Sequence, residues 1–119
     1  MKLCVFGSRN FTDYLFLKSK LDAIHNEIPI TEIVSGKAKG ADSLGERWAK
    51  ENKVKVCEFV ADWDKLGKKA GPIRNEKMAK YCDKGAGFSI NQSRGTANMK
   101  NNLEKLGKFC WFWEIDNET

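Results

Sequence analysis

Strand-like and helix-like runs alternate from one end of this 119-residue chain to the other. "KLCVFG" is a short apolar strand that stops at Gly7. "TDYLFLKSKLDAIHNEI" follows, with Leu17, Leu21, Ile24 and Ile28 at helical spacing behind Thr12, a side chain suited to an N-cap. "TEIVSG" is a second strand, "ADSLGERWAKEN" a helix with Leu44 and Trp48 four apart, and "VKVCEFV" a third strand. "ADWDKLGKKAGP" is polar and punctuated by glycine, which predicts a loop. "PIRNEKMAKYCDKG" predicts a helix with Pro72 in its first position and Gly85 at its end. "AGFSI" is a fourth strand and "NQSRGT" a loop. "ANMKNNLEKLG" is a helix presenting Met99, Leu103 and Leu106, and "KFCWFWEI" is a fifth strand. Uninterrupted alternation of this kind predicts an α/β domain: a mainly parallel sheet of five or slightly more strands with helices on both faces. No repeat or interdomain linker breaks it, so one domain is expected over residues 1–115, with 116–119 a frayed tail.

The composition is that of a globular chain, 41% hydrophobic and 31% charged, which argues against disorder. A net charge of +5 favours anionic partners (nucleotides, nucleic acid, phosphorylated metabolites) without choosing among them. Four cysteines without a CxxC pair, and one histidine, give no support to a zinc site; no metal and no cofactor are expected. Cys4, Cys57 and Cys110 lie in apolar runs and read as small core residues. "LCVF" is too short for a secretory signal or a membrane span, so a reducing cytoplasm and no membrane partner are expected.

In an open parallel sheet, ligands bind beyond the carboxyl ends of the strands. The segments there are "GSRNFTD", "SGKAKGAD", "ADWDKLGKKAGPIRN" and "NQSRGTANM", and they carry Arg9, Lys37, Lys39, Lys68, Lys69, Arg74 and Arg94. Two of them feed helices at Ala41 and Thr96, and Pro72 opens a third. Helix N-termini offer unpaired N–H groups and partial positive charge to a phosphate, and Gly36, Gly40 and Gly95 let backbone approach an oxygen. A tight turn alone would also favour glycine at these places. Neither GxxxxGK[ST] nor GxGxxG is present, which excludes a P-loop and leaves no dinucleotide fingerprint.

With "GSRNFTD", "SGKAKGAD", "ADWDKLGKKAGPIRN" and "SRGT" in this order, the chain resembles the YspA/cpYpsA-related branch of the SLOG superfamily, Rossmann-like domains related to the LOG ("lonely guy") proteins. The resemblance spans roughly residues 3 to 107. It implies a nucleotide or nucleotide-derived ligand: a nucleoside monophosphate, an ADP-ribose derivative or a cyclic variant. It points to Gly7, Ser8 and Arg9, to Ser35, Gly36, Gly40, Ala41 and Asp42, to Arg74 and Asn75, and to Gly95 and Thr96; it also implies a homodimer or higher homo-oligomer. Two departures stand out. Lys37 occupies the place of a usual second glycine, either narrowing the turn or aiming a charge at phosphate. Met99 occupies the place where LOG enzymes resemble one another in having a glutamate, and a thioether cannot act as a general acid.

Carboxylates that could replace that glutamate are Asp42, Asp62, Asp64 and Asp13. Asp42, the candidate catalytic residue, has an alternative role as a first-turn acid complementing a helix dipole. Arg74 can fork onto a phosphate or pair with Glu76 or Asp64. Trp63 can stack on a base or pack over a helix. Trp111, Phe112 and Trp113 alternate across a strand, with one face core and the other open to a subunit contact. The leading expectation is a protein that senses or sequesters a phosphorylated nucleotide derivative. An N-glycosidic nucleotide hydrolase comes second, and single-strand nucleic-acid binding ranks last.

Overall fold

The computed structural model describes residues 1–115; the expected tail at 116–119 lies outside the described residues. The strands are β1 (Lys2–Gly7), β2 (Glu32–Ser35), β3 (Lys55–Glu58), β4 (Lys84–Ile90) and β5 (Cys110–Ile115). They form one sheet in the order β3-β2-β1-β4-β5, and every pairing is parallel. The connections are α1 (Tyr14–Glu27), α2 (Ala41–Glu51), α3 (Trp63–Leu66) running through a 3-10 turn (Gly67–Lys69) into α4 (Ala70–Tyr81), and α5 (Arg94–Lys105). This is the expected single α/β domain with a five-stranded sheet.

Alternation along β1 sends side chains to the two faces. Leu3 and Val5 join Leu17, Leu21, Ile24 and Trp48 of α1 and α2 in one core cluster. Cys4 and Phe6 join Met78, Met99 and Leu103 of α4 and α5 in the other. β5 is an edge strand, yet both of its faces are covered: Trp113 stacks on Phe88 at 4.9 Å, and Phe112 packs against the α4–α5 cluster. Trp111, Phe112 and Trp113 all stay only partly buried. Edge position also explains why Cys57 and Cys110 are only half-buried, whereas Cys4 and Cys82 are buried.

Several expected boundaries move, each for a local reason. The α1 cap is Asp13, whose carboxylate accepts the Phe16 N–H at 3.1 Å; Thr12 is not the cap. The polar stretch expected to be a loop holds the one-turn α3, capped by Asp62 accepting the Lys65 N–H at 3.1 Å. No residue of α3 is buried, so it leaves no apolar periodicity to read. α4 begins at Ala70, two residues before Pro72, because a first-turn residue needs no N–H for the helical ladder. It ends at Tyr81, and Gly85 lies inside β4, where a Cβ would stand 2.4 Å from Leu103 Cδ1. α5 opens at Arg94, inside the expected loop, while Leu106 is its exposed C-cap and not part of the buried face. β3 is four residues long, and Val60, beyond it, is 72% exposed.

Gly45 shows how closely α2 rides on the sheet: a Cβ there would lie 2.8 Å from both Cβ and Cγ1 of Val5. Alanine is the better helix former by about 1 kcal/mol, but a methyl against a β-branched strand residue has nowhere to go, and overpacking costs about 1–3 kcal/mol. Packing wins, so Gly45→Ala is expected to lower the urea unfolding free energy by ~1–2 kcal/mol; an equal or higher midpoint would show that α2 can lift off β1.

Candidate functional site

β1 continues into Ser8 and Arg9, and Ser8 ties the neighbouring loops together. Its N–H donates to the Phe88 carbonyl (2.9 Å), its Oγ accepts the Ile90 N–H (2.7 Å), and its carbonyl accepts the Phe11 N–H (3.1 Å). This knot holds the carboxyl ends of β1 and β4 at the point where the strand order reverses, and a cavity of about 550 Å³ opens beside it. Its wall includes Gly7, Ser8 and Arg9 after β1, and Ala38 and Asp42 after β2. Trp63, Gly71, Pro72, Arg74, Asn75 and Met78 come from α3 and α4, and Ser93, Arg94, Gly95, Thr96, Asn98 and Met99 from α5.

Eight of the thirteen sequence-derived site residues thus meet at one cavity. Ser35, Gly36, Lys37, Gly40 and Ala41 do not line it. The glycine-bearing turn is instead closed upon the protein itself. The Gly36 N–H donates to Asp42 Oδ2 (3.1 Å), and the Gly36 carbonyl accepts Arg74 Nη1 (2.7 Å). A Cβ on Gly36 would come within 2.9 Å of both partners. Gly40 has φ +80°, and a Cβ there would meet the Ser8 carbonyl at 2.1 Å. Both glycines are required by contacts within the chain. Lys37 has φ +59°, the left-handed region that glycine adopts at least cost, and its ammonium reaches Glu46 (3.1 Å) and Glu58 (3.5 Å). It neither lines the cavity nor points a charge into it. Among the described residues nothing lies within 4 Å of a Cβ built on Gly95, so no close contact there requires glycine.

Arg74 makes neither of the ion pairs considered from sequence. Its Nε donates to Asn75 Oδ1 (3.0 Å), and Asn75 Nδ2 donates to Asn98 Oδ1 (3.0 Å), linking α4 to α5. One face of the fork is thereby fixed and the side chain is held half-buried at the cavity wall. Arg9 and Arg94 are exposed, and neither has a hydrogen-bond or ion-pair partner among the described residues. Ser93 provides no side-chain cap for α5, whose first-turn N–H groups therefore lie open beside Arg94. Thr96 is buried, its hydroxyl donating to Ser93 Oγ at 3.1 Å.

Asp42 is the only carboxylate on the wall among the described residues. Burial pushes its pKa up to about 6; the Arg74 guanidinium and the backbone N–H groups of Ala38 and Gly36 pull against that rise. Asp13 and Asp62 are helix caps away from this wall, and Asp64 is an exposed residue of α3. Met99, at the position of the glutamate in the LOG resemblance, is buried in the α4–α5 cluster and lines the cavity. Among the described residues no group of three or more His, Cys, Asp or Glu is placed to hold a metal, and no helix is long and apolar enough to cross a membrane.

Sequence reasoning missed Asn98, Asn10 and Ala38. Asn98 and Ala38 carried no usable signal, because the first matters through its bond to Asn75 and the second through the shape of a closed turn.

The profile of the YspA, cpYpsA-related SLOG family (YAcAr) matches residues 1–66, which takes in β1 through α3 and leaves Arg74 and the α5 turn outside the match. The chain is 31% identical over 113 residues to the Gene 61 protein of Mycobacterium phage D29, covering 89% of this chain and 90% of that one. Its fold is similar to that of DNA processing protein A (DprA) from Streptococcus pneumoniae. The TM-score is 0.59 at 19% identity, over 92% of this chain; the chain spans 57% of the length of that protein.

Because the Asp42 pKa of about 6 lies above the ordinary 3.8, the carboxyl takes up a proton on folding. Its contribution to stability is complete below pH ~4 and is lost as pH rises through about 6, a change of up to ~3 kcal/mol. Asp42→Asn, which keeps an acceptor for Gly36 but carries no charge, is expected to flatten the decline of unfolding free energy between pH 4 and 7. Parallel pH profiles for the two proteins would mean that Asp42 titrates as it does in the unfolded chain.

Proposed function

Since the chain belongs to the YspA, cpYpsA-related SLOG family, we propose that the cavity at the β1/β4 switch point binds a nucleotide or nucleotide-derived phosphorylated ligand, for sensing or sequestration. The ligand class is a nucleoside phosphate, an ADP-ribose-like molecule or a cyclic derivative. The observation that carries this reading is the convergence of Arg9, Arg74 and Arg94 with the uncapped first turn of α5 on one cavity of about 550 Å³. That volume is within the usual 300–1,000 Å³ range of small-molecule sites. The only carboxylate on this wall among the described residues accepts the Gly36 N–H, and the wall's cations outnumber it three to one. Such a wall suits a phosphate with its several acceptor oxygens.

In this reading Arg74 is the specificity element of the phosphate end. Its Nη1 is committed to Gly36 and its Nε to Asn75, which holds the side chain in one orientation at the wall and leaves Nη2 for a ligand. Pre-organisation of this kind spares the rotamer entropy that a free arginine gives up on binding. Arg9 and Arg94, having no such tether, add field and on-rate more than geometry.

A second reading has one observation in its favour. Asp42 is the wall's sole carboxylate among the described residues, with a pKa of about 6, near the operating range of a general acid–base group. That arrangement supports an N-glycosidic hydrolase in which Asp42 takes the part of the glutamate absent at Met99.

The two readings separate in one experiment. Purified protein is incubated with a panel of AMP, ADP-ribose and a cyclic nucleotide, then filtered, and bound and free fractions are analysed by mass spectrometry. Retention of intact ligand is the expected outcome; release of free base by the wild type but not by Asp42→Asn would replace binding with hydrolysis. Arg74→Ala is expected to weaken the retained ligand ~10- to 100-fold, the scale of a lost charge-assisted hydrogen bond. Arg74→Lys, which keeps the charge but not the fork, should recover little of it. Unchanged affinity in Arg74→Ala would remove Arg74 from the site. A short single-stranded oligonucleotide that displaces every nucleotide in the panel would move the reading to nucleic acid, a possibility kept open by the exposed Lys39, Lys65, Lys68 and Lys69.

A further inference from the structure

The chain has four tryptophans, and three of them are partnered within the protein. Trp48 is fully buried, donates its Nε1–H to Asp22 Oδ1 (2.9 Å) and lies edge-on to His25. Trp113 stacks on Phe88, and Trp111 meets Phe109 edge-on at 4.8 Å. Trp63 does none of this. It is 49% exposed, and among the described residues its indole N–H has no hydrogen-bond partner and its ring no aromatic or cationic neighbour. Yet it lines the cavity at the β1/β4 switch point.

The ring is nonetheless held in place. Asp62 caps the single turn that carries it, and the Gly67 N–H closes that turn onto the Trp63 carbonyl. The indole rests against Gly71 at the start of α4, where a Cβ would stand 3.1 Å from Cη2. Glycine at position 71 is thus what allows the ring to settle against the helix and remain at the cavity wall. Burying this indole would yield the large apolar gain that Trp48 already realises in full. A ring that is fixed, half-exposed and unstacked at a cavity bearing free guanidinium groups has the form of a platform awaiting a flat partner.

We propose that Trp63 is the stacking wall for the aromatic base of the ligand, which makes the ligand class a base-bearing nucleotide rather than a sugar phosphate. The proposal rests on the phosphate-binding reading of the same cavity and adds the opposite end of the molecule. Stacking is tolerant of base identity, because every base has a π-face. Purine nucleotides should bind more tightly than pyrimidine nucleotides through their larger faces, with no sharp selection among bases.

The test is calorimetric titration of the wild type, Trp63→Ala and Trp63→Phe with AMP and with ribose 5-phosphate. Circular dichroism and the thermal midpoint establish that each variant is folded. For the wild type, AMP is expected to bind at least ten-fold more tightly than ribose 5-phosphate. Trp63→Ala should remove most of that difference while leaving ribose 5-phosphate within two-fold, and Trp63→Phe should keep the larger part of it. Equal affinity of the wild type for AMP and ribose 5-phosphate would overturn the stacking role and leave the phosphate reading standing. So would a Trp63→Ala variant that weakens both ligands alike, which would make Trp63 a support for α4. Absence of binding by AMP, ADP-ribose and ribose 5-phosphate to the wild type would overturn both readings together.

Discussion

β1 pairs in parallel with β2 on one side and β4 on the other, and parallel neighbours can be joined only by crossovers that pass over a face of the sheet. The chain therefore winds outward from β1 through β2 to β3, returns through α3 and α4, and winds outward again through β4 to β5. Where the two directions part, the loops after β1 and β4 diverge and leave a crevice. Ser8 keeps that crevice in shape by binding the backbone of both Phe88 and Ile90. Everything proposed for the site depends on this knot, because it sets where the α5 first turn lies relative to Arg9 and Asp42.

The second fixed unit is the brace of Gly36, Asp42 and Arg74. It joins the turn after β2 to α4 through one residue, Gly36, whose N–H and carbonyl are engaged by a carboxylate and a guanidinium. The charges oppose one another, which tempers the burial cost of Asp42 without abolishing it, and the pKa of about 6 records the balance. Gly36 is small because both partners need to reach its backbone. The same backbone proximity that would admit a phosphate oxygen admits Arg74 and Asp42 instead.

This distinction marks how far the sequence could be read. Period-two and helical apolar patterns located the five strands and the long helices, since Leu17, Leu21 and Ile24 or Met99 and Leu103 report their burial through spacing alone. The pattern was silent for α3, where no residue is buried, and it misjudged Leu106, whose spacing fits a buried face that ends one turn earlier. Gly85 reads as a helix end because a glycine's reason is not written locally: its neighbour is Leu103, distant in the chain. Gly40 is the same case, since the carbonyl that forbids a Cβ belongs to Ser8. The cavity's charged members were visible as cations in βα turns, but which cations face inward was not. Lys37 and Arg74 carry the same sign, and only the placement of Glu46 and Glu58 turns Lys37 away.

Met99 bears on what the cavity can do once it is filled. Its thioether occupies the place from which, by resemblance, a LOG-type enzyme would present a carboxylate, and it is packed among Cys4, Met78 and Leu103 in the α4–α5 cluster. An ionised glutamate there would have to leave water for an apolar floor, a cost of several kcal/mol unless a cation met it. Arg74, the held cation of this wall, is already divided between Gly36 and Asn75. The cavity thus carries Arg9, Arg74 and Arg94 on its wall while a core residue fills the acid's position. Among the described residues Asp42 is the wall's one carboxylate, and the Gly36 N–H holds it on the side of the closed turn.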